Sequence, residues 1–360
     1  MKIITIFTLL LGLATISNIA AAEDKQEPRQ HNSSSQQNIP NKDNITLATE
    51  WLEYLASDDR QGRLTGSSEN SEVQEWLIER FKQIGLQKVP GQESYLQKFT
   101  AHNREGEPLQ AANIIGYLPC NCDSERYFFV GAHYDHVGVN TKLEGDQIFN
   151  GADDDASGVV ASLIFAKTLK QYEQLPFNVV VGAWDAEEMG LQGSKYFAAN
   201  PWVSLTDIES GFMFELVGVP LKDKLYNAWM TGNKYSTLYP TLKAKLKNQG
   251  WKLDPVLDPK LGLFFRSDNA PFALLDTDNE SIKKAMQGKE KATVTGIPMH
   301  AISVWRGQDH YHKPHDDVSI IDTPNLVSLA ESLAAAFKEL PSSTKIEWLD
   351  NDQFDFSRPQ

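Results

Sequence analysis

Residues 178–190 read NVVVGAWDAEEMG. The first seven are almost wholly apolar, as expected of a central strand covered on both faces, and four acidic or small residues follow at once. A buried strand that runs straight into two adjacent glutamates places charge where an α/β sheet commonly binds its ligands, outside the carboxyl ends of its strands. Reading outward, RYFFVGAH (126–133) is a second such strand and ends on His133. Between them lies ASGVVASLIFAKTLKQY (156–172), a helix whose small residues suit close packing on a sheet. Further strand patterns occur at 95–102, 111–118, 211–218, 224–232 and 300–305, and helical periodicity at 47–56, 73–86, 236–250 and 325–340. Gly85 is the expected stop of the second helix. The alternation predicts an α/β fold: one domain over 44–342, with a mixed, mostly parallel central sheet and helices on both faces.

Composition sets the bounds. The chain has 360 residues, 41% hydrophobic and 10% aromatic, enough for a real core, and a formal net charge of −14. With no basic stripe to offset that charge, a nucleic-acid partner is excluded. Met1-Lys2, the apolar run Ile3–Leu13 and Ala20-Ala21-Ala22 together read as a cleavable signal peptide over 1–22, too short for a membrane span. The mature protein is therefore expected to be periplasmic or secreted, with no membrane anchor. Residues 23–43 are polar and aperiodic and read as a flexible linker; 276–295 reads as a polar surface insert and 343–360 as an acidic tail. Cys120 and Cys122, one residue apart, are able to close a tight local disulfide in an oxidising compartment; their role is read as structural or incidental.

Five motifs carry chemistry. GAHYDHVG holds His133, with Asp135 two residues on as a candidate partner for the imidazole's second N–H. NGADDDASG sets three aspartates (153–155) before a helix, a crowding that a cation or the helix dipole makes tolerable. In WDAEEMG, Glu187 and Glu188 project differently, so one can bind a metal while the other serves a metal-activated water; Asp185 reads as an exposed turn residue. Glu215 interrupts the apolar run GFMFELVG and needs a partner, for which a metal is economical. DHYHKPHDD contributes His310, His312 and His315. A paired buried histidine, a solvated Asp cap, an acidic turn and a His-rich loop would each explain one motif, but jointly they require a coincidence at every strand end.

These segments resemble the two-zinc metallo-exopeptidase family that includes bacterial leucyl aminopeptidases and aminopeptidase Y. The likeness runs from about Leu47 to Leu340 and extends to GRLTGS (62–67), FRSDNAPF (265–272) and GIP (296–298). There is no room for a protease-associated domain before His133. The resemblance implies two divalent metal ions, zinc foremost. His133 and Glu215 would serve one ion, Glu188 and His312 the other, with Asp154 bridging and Glu187 as general base. It also implies a cis Asp154–Asp155 peptide, and Asp135 and Asp316 as partners of the two histidines. Many members place Asp where this chain has Glu215. The implied activity is hydrolysis of N-terminal residues from peptides with a free N-terminus. The rivals are a glutaminyl cyclase on one zinc, a carboxypeptidase or dipeptidase for which Arg266 or Arg306 would face a free carboxylate, and a non-catalytic binding protein. Phe264, Phe265, Met299 and Trp305 are candidates for an apolar pocket.

Overall fold

The structure is a computed structural model and describes residues 39–256, 262–275, 280–281, 284 and 296–349. The expected signal peptide and nearly all of the 276–295 insert lie outside them. At the centre is β4 (Asn178–Trp184), buried along its whole length. It is flanked by β2 (Pro108–Leu118), antiparallel, and β3 (Tyr127–His133), parallel. With β1 (Leu96–His102), β5 (Ile208–Phe214), β6 (Asn227–Met230), β7 (Lys252–Pro255) and β8 (Met299–Ser303) they form one eight-stranded sheet, ordered β1-β2-β4-β3-β5-β8-β6-β7. The pairs β3/β4, β3/β5, β5/β8 and β6/β7 are parallel, so the sheet is mixed and mostly parallel as its pattern implied.

Alternating side chains of the same strands feed two apolar layers. On one face Phe128, Val130, Val179, Val181, Phe212 and Phe214 pack under helices α1 (Lys42–Leu55), α2 (Ser68–Ile84), α3 (Gly158–Leu169) and α5 (Leu238–Asn248) and the last helix. On the other, Phe129, Val180, Trp184 and Met213 meet Phe197 of α4 (Gln192–Ala199) and Phe272 of α6 (Ala270–Ala273). The last helix, α7 (Thr323–Lys338), lies against α3. A strand apolar at every position thus serves two layers, which is why residues 178–184 show no alternation.

Register then positions the chemistry. His133 pairs with Trp184, and Gly131 pairs with Met213, so the same register carried two residues on sets His133 level with Glu215. The loops leaving β3, β4 and β5 therefore start in one row along the carboxyl edge.

Several boundaries differ from expectation. Helix α1 begins at Lys42 because the Asn41 side chain accepts from the amides of Asp43 and Asn44, which trims the linker reading of 23–43. Gly85 does end α2, in the left-handed conformation at φ 84°. Glu215 does not interrupt a strand: β5 closes at Phe214 and Glu215 is the first residue beyond. The acidic tail is corrected over 343–349, where Ile346 is buried in the core and Trp348 Nε1 donates to the Gly296 carbonyl at 2.8 Å. Cys120 and Cys122 are joined as a disulfide. Among the described residues no helix is long and apolar enough to cross a membrane.

Candidate metal centre

The NGADDDASG loop divides its three aspartates by role. Asp153 and Asp155 turn away from the centre and tie down the loop after β5. Asp153 Oδ1 accepts from Gly218 N at 2.7 Å, and Asp155 Oδ1 accepts from Leu216 N and Gly158 N, each at 3.1 Å. The other oxygen of Asp153 takes His310 Nε2 at 2.7 Å. Only Asp154 faces inward, and the peptide joining it to Asp155 is cis. Its Oδ1 lies 3.2 Å from His133 Nε2 and its Oδ2 lies 3.2 Å from His312 Nε2.

Around those two oxygens the side chains sort into two groups of donor atoms, each within 4.8 Å of one another: His133, Asp154 and Glu215; and His136, Asp154, Glu188 and His312. His133 Nε2 is 3.9 Å from Glu215 Oε1, while Glu188 Oε1 is 2.9 Å from His312 Nε2 and 3.0 Å from His136 Nδ1. Glu187 belongs to neither group; its Oε2 stands 4.0 Å from His133 Nε2. The chain thus brings together all six residues expected there. It adds His136, which sequence reading passed over. Its signal was present: GAHYDHVG carries a second histidine three residues after the first, and the turn that ends β3 folds it back.

The supporting carboxylates work differently from expectation. Asp135 does not hold His133 through its side chain, whose nearer oxygen is 3.7 Å from Nδ1. The Asp135 main-chain carbonyl accepts from Nδ1 at 3.0 Å instead, which fixes the proton there and turns the Nε2 lone pair inward. The freed carboxylate accepts from the amides of Glu187 (3.0 Å) and Glu188 (3.3 Å). Asp316 likewise is not directed to His312: its two oxygens accept from the amides of Asp153 (2.8 Å) and Asp154 (3.0 Å). Each carboxylate clamps the backbone of a loop that carries candidate ligands, because two adjacent amides at a turn offer a fork that one side chain can fill. Asp185, read as exposed, is fully buried; it accepts from Tyr134 Oη (2.8 Å), Ala112 N (3.0 Å) and Thr65 Oγ1 (3.0 Å). Arg63, in the GRLTGS lead-in, is buried beneath the site and donates to the carbonyls of Tyr134 (2.8 Å) and Gly151 (3.0 Å), linking the two loops that bear His133 and Asp154.

The electrostatics are those of a cluster with surplus negative charge. Burial raises Glu187 well above the carboxylate range, reinforced by Glu215 and Glu188 against the pull of His133. Burial also raises Glu215 and lifts Asp268 and Asp316 to about 7. Burial and Asp154 push Glu188 upward, yet its contacts with His136 and His312 hold it at about 2. His312 is raised to about 10 despite burial, by Asp154 and Glu188. Fixed cations are what such a set wants. The donor atoms agree: His133 Nε2, both nitrogens of His136 and Asp154 Oδ2 are buried with no hydrogen-bond partner. Orphaned buried polar atoms are rare, and mixed imidazole and carboxylate donors suit zinc or a similar divalent ion.

Residues 113–337 match the model of peptidase family M28, well over half of the chain. The chain belongs to peptidase family M28. The family is one of peptidases. Among curated proteins it is 29% identical over 132 residues to a probable zinc metalloprotease of Pyrenophora teres f. teres, covering 37% of this chain and 26% of that protein. A probable zinc metalloprotease of Pyrenophora tritici-repentis is 29% identical over 117 residues, covering 32% and 24%. The chain thus spans about a quarter of the length of the curated relatives it matches. Solved structures of the same fold include a leucine aminopeptidase precursor from Bacteroides thetaiotaomicron (18% identity, TM-score 0.61, 84% of this chain and 99% of that one). A glutaminyl cyclase from Porphyromonas gingivalis matches as well (20%, TM-score 0.61, 84% and 99%), as does a zinc aminopeptidase from Bacillus subtilis (15%, 0.59, 84% and 97%). An M28 sheet therefore does not separate hydrolysis from cyclisation; the donor set must.

Proposed function

We propose that this M28 protein is an exported aminopeptidase that releases the first residue of peptides bearing a free N-terminus. The observation that carries the reading is Asp154, whose two carboxylate oxygens face two different donor groups while Glu187 stands beside His133 and joins neither group. A one-metal cyclase has no use for the second group. Two divalent ions, zinc foremost, would supply polarisation of the scissile carbonyl and acidification of a water. His133, Asp154 and Glu215 would hold one, and Glu188, His312 and Asp154 the other. Glu187 takes the proton of the attacking water and hands it to the leaving amine. Asp135 acts on it as a positioning residue, through its grip on the Glu187 and Glu188 amides.

A cleft opens directly from Glu215 and is walled by Trp229, Leu263, Trp305 and Tyr311, with Arg266 among its lining. Such a wall suits an apolar or aromatic first side chain. Of the four residues expected to line a pocket, only Trp305 does: Phe264 and Met299 are buried, and Phe265 packs against Leu191 and Ala270. Arg306 is turned elsewhere, its Nη2 3.1 Å from Asn227 Oδ1, which leaves Arg266 as the arginine facing the cleft. The apolar leader and the Cys120–Cys122 disulfide fit an oxidising, extracytoplasmic compartment.

The test is a substrate panel on the purified metalloprotein. Free aminoacyl peptides, with bulky apolar first residues fastest, should be hydrolysed, and N-blocked peptides should not. Rapid turnover of a blocked peptide, release from the C-terminus, or cyclisation of N-terminal Gln in place of hydrolysis would each remove the aminopeptidase reading.

A further inference from the structure

We propose that His136 is a fourth protein ligand on the Glu188/His312 side, so that this site is closed by protein donors and holds its ion firmly. The His133/Glu215 site, with three donors, keeps the open position and exchanges its ion. The inference rests on the two-ion reading above.

Three observations carry it. First, His136 is fully buried, yet neither ring nitrogen makes a hydrogen bond. Its Nδ1 sits 3.0 Å from Glu188 Oε1 without hydrogen-bond geometry. A buried imidazole with orphaned nitrogens is costly unless something outside the protein's own donors and acceptors satisfies it. Second, the distances suit a shared ion. Metal–ligand bonds near 2.0–2.1 Å in a tetrahedron put donor atoms roughly 3.3 Å apart. Across this group, His312 Nε2–Glu188 Oε1 is 2.9 Å, His136 Nδ1–Glu188 Oε1 3.0 Å, His312 Nε2–Asp154 Oδ2 3.2 Å and His136 Nδ1–Asp154 Oδ2 4.0 Å. The four scatter about that value.

Third, the backbone is shaped to admit the ring. Gly151 takes φ +58°, and a Cβ there would stand 2.5 Å from His136 Cδ2 and 2.6 Å from Cγ. Any side chain at 151 would displace the imidazole, so the loop that delivers Asp154 is also cut away to seat His136. On the other side, the His133 group has three protein donors and is bordered by Glu187 and the cleft. Four protein ligands characterise zinc sites that only hold the ion, and three plus a vacancy characterise those that work on a substrate. This chain carries one of each.

The test uses Zn2+ and Co2+ alone, with no substrate. Wild-type protein should bind two ions and release them in two steps under chelator competition. The ion retained longer should show two imidazoles by X-ray absorption, and the Co2+-loaded one-ion form should give the intense visible bands of a four-coordinate site. His136→Gln should weaken the retained ion by more than about 100-fold, beyond the 10- to 100-fold seen for residues that only orient ligands, and leave the weaker step unmoved. The spectroscopic count on wild type stands whether or not the variant folds. A single imidazole on the retained ion, or a His136→Gln protein that keeps it like wild type, overturns the role of His136. Wild type that binds only one ion in total would instead overturn the two-ion reading on which it rests.

Discussion

The layer beneath the helices and the row of loops at the carboxyl edge are built on opposite terms. Under α1, α2, α3 and α7 the contacts are apolar and redundant: Phe165 meets Phe212, Phe214 and Phe337 with ring centroids 5.6–6.3 Å apart, and no one of them bears a unique duty. At the edge the loops are held by single assigned polar contacts, and among the buried atoms that lack a partner are His133 Nε2, both nitrogens of His136 and Asp154 Oδ2, all in the candidate metal groups. The first region stores stability, and the second spends some of it on holding like charges together. Substitutions should therefore separate cleanly, costing stability in one region and chemistry in the other.

The largest effect is expected from Glu187→Gln. Loss of the general base should lower kcat by about 10²- to 10⁴-fold, with metal content and melting temperature near wild type. Metal lost along with activity would place Glu187 among the ligands and break the division of roles at the centre. Next is Phe165→Ala in the helix layer, where a fully buried aromatic should cost about 3–5 kcal/mol in denaturant unfolding, while the folded fraction keeps its metal stoichiometry. A drop in metal per folded molecule would show that the layers are not independent.

A third test uses pH. His300 is buried, donates from Nδ1 to the Thr231 carbonyl at 2.8 Å and receives Ser236 Oγ on Nε2 at 2.6 Å. Burial lowers it from 6.5 to about 4. The unfolded chain then binds the extra proton first, so stability is fully present above 6.5 and falls as pH drops toward 4, by up to about 3 kcal/mol. In His300→Gln this share of the acid-side slope should vanish between pH 6.5 and 4; an unchanged slope would assign the acid sensitivity to the carboxylate cluster instead. The smallest expected effect is Asp316→Ala. It leaves the amides of Asp153 and Asp154 without acceptors and should weaken metal binding about 10- to 100-fold, as outer-shell partners do, with global stability changed less than in Phe165→Ala. Wild-type metal affinity in that variant would show that the Asp153–Asp154 loop holds its shape without the clamp.

Much of this was legible beforehand because it rests on local pattern. A strand apolar at every position implies two covering layers, so residues 178–184 announced the centre of the sheet. Of the six side chains brought together, His133, Asp154, Glu187, Glu188 and Glu215 were legible because each ends or follows a strand or opens a helix, where charge is conspicuous, and His312 because it sits in a histidine-rich loop. The errors cluster where a residue acts through its neighbours. Asp135 looked like a partner for His133 because spacing shows proximity along the chain, and Asp316 was assigned to His312 by resemblance alone, whereas their oxygens go to backbone amides contributed by loops 52 and 163 residues away. Asp185 looked exposed because a turn between charged residues usually is; it is buried because Tyr134, Thr65 and Ala112, from three other segments, converge on it.

By itself, then, the sequence determined the fold class, the central strand and the identity of the side chains at its end, since hydrophobic period and residue type are properties of short segments. What only the tertiary structure decided is the company those side chains keep: His136 drawn in beside Glu188 against Gly151, and the carboxylates of Asp135 and Asp316 given over to the amides of the loops that carry Glu187, Glu188 and Asp154. Those assignments depend on distances of a few ångströms between segments far apart along the chain. Only the register of β3, β4 and β5, and the backbone clamps that fix their loops, set such distances.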